Sequence, residues 1–147
     1  MLSGLLIYKQ NTNLMSIIQK VFLLFSSLSG ALSVILGALG SHWLKDKVNY
    51  WQLGSFETAV KYQFYHTLAI LFLVLLMNKM PSKLLNYAGF SFIAGILLFS
   101  GSLYLLSVKS LFGMEKLAAL GPVTPVGGLA FIIGWLLIAF VVISNWK

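Results

Sequence analysis

Apolar residues in this chain come in long blocks, not in alternation. Four apolar runs are separated by short polar connectors. The first covers about residues 21–40 and holds no charge. At ~1.5 Å rise per residue, such a run crosses a hydrocarbon core of ~30 Å as a helix. The second covers about 55–77. It begins polar, with Glu57, Lys61, Tyr62, Gln63, Tyr65 and His66, and ends in the unbroken apolar stretch Leu68–Met77. The third covers about 84–106 and the fourth about 125–144. The pattern predicts an all-α, integral membrane four-helix bundle. Residues 15–147 form one four-span domain, behind a poorly ordered lead at 1–14.

The connectors agree with this reading. Ser41–Tyr50 is polar, with a short surface helix expected, and Trp43, Tyr50 and Trp51 suit an interfacial aromatic belt. Asn78–Asn86 holds Pro81, which a helix interior does not tolerate. Asn49 or Ser55 is expected to cap the second span. A start at Ser55 puts Glu57 in the first turn and His66 about 16 Å further in, near mid-membrane. Thr124 as N-cap and Pro125 at the first helical position mark the start of the fourth span.

Small residues recur on single helix faces. Ser33 and Gly37 continue a row from Ser29 to Ser41, Gly95 and Gly101 stand in the third span, and Gly127 and Gly134 in the fourth. Such rows let helices approach closely in lipid, so these six are the expected packing positions.

Composition sharpens the class. Hydrophobic residues make up 59% and charged residues 9% of the 147. A water-soluble surface cannot be built from so few charges. The chain has no cysteine, which excludes disulfides and thiolate metal sites. All ten cations are lysines, scattered along the chain. They read as anchors near anionic headgroups and not as a nucleic-acid surface. A cleaved leader is the rival for the first run, with Lys20 before it and Ala38-Leu39-Gly40 as the cleavage site; its length favours a span. Four spans put both termini on one side, with Lys9, Lys20, Lys79, Lys83 and Lys147. The other side holds Lys45, Lys47, Lys61, Lys109 and Lys116, so the count is tied. The termini are expected in the cytoplasm because Lys61 lies within a helix.

Candidate chemistry gathers in the second span. Glu57 and Lys61 stand four apart, acid first, the favourable order for a helical ion pair. The same carboxylate in a cavity would handle protons or cations. His66 is an ionisable group near mid-membrane, a functional candidate by position. It shares a helix face with Ala59, Tyr62 and Ile70 and lies nearly opposite Glu57. A bland reading bonds it to another span, at Ser100 or Ser102. Glu57, Lys61, Tyr62 and His66 thus form the candidate intramembrane polar site. Axial haem ligation by His42 and His66 asks for matched depth, which the spacing does not give. The spacing shows no metal site, no catalytic motif and no cofactor loop.

Four blocks occur in order: Gly37-Ala-Leu-Gly-Ser-His42, Phe56-Glu-Thr-Ala-Val-Lys-Tyr-Gln-Phe-Tyr-His66, Leu98-Phe-Ser-Gly-Ser-Leu-Tyr104 and Gly121-Pro-Val-Thr-Pro-Val-Gly-Gly128. Together they resemble the domain of unknown function 423 family of small four-span membrane proteins, which includes transmembrane protein 256. Leu39 and Ser41 depart mildly from its pattern. The resemblance implies the fold and a membrane location, and brings no activity. The expected role is that of a membrane accessory or interaction protein without enzymatic activity. Its partners would be the lipid bilayer and either a second copy or another membrane protein. The alternative is a small proton-coupled solute carrier using Glu57 or His66.

Overall fold

A computed structural model describes residues 15–146. The expected lead at 1–14, with Lys9, and the anchor Lys147 lie outside the described residues. Four helical rods, Ile17–Leu44, Tyr50–Lys79, Lys83–Phe112 and Glu115–Ser144, are each long and apolar enough to cross a membrane. No strand occurs among the described residues.

Helix α1, Ile17–Leu39, starts at a reciprocal cap. Ser16 accepts from the Gln19 amide, and the Gln19 side chain accepts from the Ser16 amide. Two orphan donors of the first turn are satisfied this way. Helix α2, Tyr50–Lys79, has the same device at Asn49 and Gln52. It therefore begins a turn and a half before the expected Ser55, and Glu57 sits roughly two turns in, not in the first turn. Helix α3, Lys83–Gly95, is capped by Ser82. Met80, before Pro81, leaves the helical region at φ −132° and ψ 77°, since the proline ring disfavours helix there, and α2 stops.

Two wide π turns interrupt the rods. Gly40–Leu44 extends α1, where a separate surface helix was expected. Ile96–Ser100 joins α3 to α4, Gly101–Val108. Two 3₁₀ turns, Lys109–Phe112 and Glu115–Leu120, then lead to α5, Val123–Ser144, with Gly113 at φ +63° between them. The start of α5 corrects the sequence reading. Thr124 is not its N-cap and Pro125 is not its first residue. The Thr124 hydroxyl instead bonds across to Ser102 at 2.7 Å, and Pro125 stays within the first turn, where its missing N–H costs nothing.

The first and second spans pack along each other, as do the third and fourth, and the second lies on the third. The interior has two halves. Toward the end where α1 begins it is mainly apolar: Phe22, Ile70, Leu73, Leu85, Ala88, Phe92 and Val141 are all fully buried or nearly so, with Gln19 and Ser26 the buried polar residues of α1 there. Toward the other end it is polar, with Ser29, Gln63, His66, Thr67, Ser100, Ser102 and Ser107 buried. Leu24, Leu28, Leu75, Leu136 and Phe140 face outward, as a lipid-facing surface demands. Tyr50, Trp51 and Trp146 stand exposed at rod ends.

The packing positions divide. A Cβ at Gly95 would run into the Phe131 ring, one at Gly134 into the Phe92 ring, and one at Gly127 into the Phe99 backbone. These three hold the third and fourth spans together. Gly37 makes only ordinary contact with Val60, and Ser33 is buried with its hydroxyl on the Gly30 carbonyl. Gly101 is a correction: a Cβ there meets nothing within 4 Å. The π turn shifts the register of the third span just before it, so the helical spacing counted from Gly95 no longer applies. Gly89, where a Cβ would strike the Phe22 ring, is a close approach the sequence reading did not find.

Candidate functional site

The inward stripe of α2 is Phe56, Ala59, Gln63, His66, Thr67, Ile70, Leu73 and Val74, spaced by three and four. That spacing decides which polar groups enter the bundle. His66 does, with Ala59 and Ile70 on its own face, and it is 6% exposed. Tyr62 is half-exposed at the edge of the same stripe. Glu57 and Lys61 face outward and form no ion pair with each other. The four expected site residues are therefore not one cluster. His66 lies about 24 Å along a rod of ~45 Å, close to its middle although the helix starts earlier.

His66 is held at both ring nitrogens. Nδ1 donates to the Tyr62 carbonyl at 2.8 Å, and Trp135 Nε1 donates to Nε2 at 3.3 Å. An indole N–H can only donate, so the network assigns the imidazole the neutral tautomer protonated on Nδ1. The ring stacks on Phe131, with centroids 3.5 Å apart and planes 12° off parallel. Phe92 packs at 5.5 Å and Tyr62 at 5.9 Å. Second and fourth spans are thus joined through one aromatic cage. The expected bond from His66 to Ser100 or Ser102 does not form. Ser102 bonds Thr124, and Ser100 Oγ is buried in the π turn with no partner among the described residues. The imidazole face is instead taken by Phe131 of α5, and Phe99 of the π turn packs beside that pair, 4.6 Å from Tyr62 and 5.7 Å from Phe131.

A second chain of bonds ties the first three spans. Gln63 donates from Nε2 to the Ser29 carbonyl at 2.9 Å, and Tyr104 donates to Gln63 Oε1 at 2.7 Å. Ser29 and Thr67 share a hydroxyl bond of 2.8 Å. Sequence reasoning placed Gln63 in the second span but assigned it no role, and missed Tyr104, Thr67, Phe131 and Trp135 as site residues. The signal for Trp135 was present: an indole amid apolar residues in mid-span needs an acceptor. Among the described residues, no three His, Cys, Asp or Glu side chains gather as for a metal ion.

The Gln63–Tyr104 bond is expected to carry measurable energy. Interhelical hydrogen bonds in membranes average about 0.6 kcal/mol and reach about 1.7. Gln63→Leu and Tyr104→Phe should each lower the thermal midpoint of the purified protein. Their double variant should cost less than the sum by at least ~0.5 kcal/mol. Strict additivity would show that the two groups do not share a bond.

Outside the bundle, a shallow lateral groove of about 300 Å³ runs between α1 and α2. Its lining includes Ser33, Gly37, Ala38, Val60, Lys61 and Tyr65.

A family model described as "Protein of unknown function (DUF423)" matches residues 36–128. That range contains Gln63, His66 and Tyr104 and stops short of Phe131 and Trp135. The UPF0382 membrane protein YwdK of Bacillus subtilis is 40% identical over 120 residues, covering 81% of this chain and 93% of that protein. The UPF0382 membrane protein SAB0533 of Staphylococcus aureus is 38% identical over 119 residues, covering 81% and 92%. The UPF0382 inner membrane protein YgdD of Escherichia coli is 39% identical over 118 residues, covering 80% and 86%. No solved structure matches the chain.

Proposed function

This chain belongs to the DUF423 family of multi-pass membrane proteins, and we propose that it acts there as an accessory or interaction protein, without catalysis of its own. The partner is a second copy or another membrane protein, and it seats a helix along the groove between α1 and α2. One observation carries this reading. The groove floor has the small residues Ser33, Gly37 and Ala38, and Lys61 lines its wall, with Glu57 one turn away facing outward. Small residues let a second backbone approach, and charged groups on the outer face of a span ask for polar company.

The carrier alternative draws no such support. It needs Glu57 or His66 to exchange a proton along an open path. Glu57 stands on the outer face near one end of its rod, and both nitrogens of His66 are engaged inside the bundle.

The test is cross-linking in native membranes followed by gentle isolation of the tagged chain. The expected product is one reproducible adduct, with itself or with one membrane protein. Gly37→Leu, which fills the groove, should abolish the adduct, and Glu57→Gln should reduce it, with elution of the purified chain unchanged. A chain recovered alone from cross-linked membranes refutes the proposal. So does a proton-driven flux in proteoliposomes that Glu57→Gln abolishes.

A further inference from the structure

At the end of the bundle where α1 begins, a polar cup of about 490 Å³ opens between the start of α1 and the turn joining α2 to α3. Ser16, Gln19, Asn78, Ser82, Lys83 and Asn86 supply its polar lining. Its hydrogen-bond inventory is lopsided. Gln19 spends its carbonyl oxygen on the Ser16 amide and donates from Nε2 to Asn78 Oδ1 at 2.8 Å. That leaves Asn78 its NH₂, a donor, on the open side. Ser16 Oγ accepts from the Gln19 amide, and Ser82 Oγ accepts from the Leu84 amide. Each hydroxyl therefore has its O–H left to give. Each cap that starts α1 and α3 uses a hydroxyl lone pair and leaves the O–H, Asn86 brings one amide oxygen and one NH₂, and Lys83 is the one charged residue of the lining, so donors outweigh acceptors.

Charge points the same way. The chain has three acids, Asp46, Glu57 and Glu115, and all belong to the opposite end. The end with the cup carries Lys20, Lys79 and Lys83. A ligand for a cup of donors and cations is an anion with several acceptor oxygens. The cup lies where the rods leave the apolar core, with Met77 and Pro81 forming its apolar wall. Rods of ~45 Å across a hydrocarbon core of ~30 Å carry their ends out among the headgroups.

We propose that this cup is a phosphate site that takes the headgroup of an anionic phospholipid. The inference does not depend on the accessory role. It goes beyond general anchoring by lysine because it names one cup and its donors.

The test uses the full purified chain with phosphatidylglycerol and phosphatidylcholine offered together, and bound lipid read by native mass spectrometry. The wild type should retain phosphatidylglycerol about five-fold over phosphatidylcholine, the ratio expected for one well-placed lysine. Lys83→Glu and, separately, Asn78→Asp should bring the ratio to near parity. Lys47→Glu, at the opposite end, should leave it unchanged. Inorganic phosphate at about ten millimolar should fail to displace the lipid if the headgroup is the source, since the acyl chains add to its hold. Displacement would assign the cup to soluble phosphate and overturn the lipid assignment. Parity in the wild type, or equal loss in Lys47→Glu and Lys83→Glu, overturns the site.

Discussion

Replacing Gly127 with valine is expected to remove most of the folded protein. A Cβ at this position would run into the backbone nitrogen and Cα of Phe99, not into the end of a flexible side chain. Phe99 belongs to the π turn of the third span, so its backbone can retreat only if the third and fourth spans separate. Overpacking of cores costs about 1–3 kcal/mol when side chains can adjust. Here the backbone must move, and the cost should reach at least ~3 kcal/mol, a change of roughly a hundredfold in the folded population. Size-exclusion elution of a tagged chain and its thermal midpoint read the effect. Gly101→Ala is the control. Its new methyl meets nothing, and alanine's helix propensity should hold the midpoint or raise it, by a stability gain of up to ~1 kcal/mol. A wild-type melt for Gly127→Val would show that the two spans do not approach at this point.

The second large effect is expected at His66. His66→Leu removes the bond from Trp135 and the stack on Phe131 together. The bond is worth about 0.6–1.7 kcal/mol in a membrane setting. The aromatic contact adds about 0.5–1.5 kcal/mol. A loss near ~2 kcal/mol should appear as a lower midpoint. Adding Trp135→Phe to His66→Leu should recover part of it, because the orphaned indole N–H is gone. Glu57→Gln, on the outer face, should change stability by no more than about 0.5 kcal/mol. If Glu57→Gln costs as much as His66→Leu, the assignment of inside and outside on α2 is wrong.

These contrasts also show how far the residues could be read unaided. That His66 shares a helix face with Ala59 and Ile70 was legible, because 3.6-residue periodicity alone gives it. Glu57 and Lys61 were legible as neighbours, since four residues separate them on one helix. That they would face outward without pairing depends on which stripe of α2 meets α1 and the third span. The Thr124 cap failed for a related reason. Local preference offered its hydroxyl to its own helix, and Ser102 of another span made a better partner. Trp135 as the donor to His66 joins residues 69 apart, and no pattern in either helix specifies the other.

Read as a linear pattern, the chain specifies four membrane-crossing rods, roughly where each begins, and small residues such as Gly95, Gly127 and Gly134 at which a rod can be approached. Those properties rest on hydrophobic length, caps and side-chain size, which are local. Only the tertiary structure decided which polar groups meet: Gln63 with Tyr104 and Ser29, His66 with Trp135, and Ser102 with Thr124. Such pairs depend on the rotation of each rod about its axis and on the extra residue that the π turn at Ile96–Ser100 inserts into the third span. A shift of one residue turns a helix by about 100°, enough to carry any of these side chains from a partner into lipid.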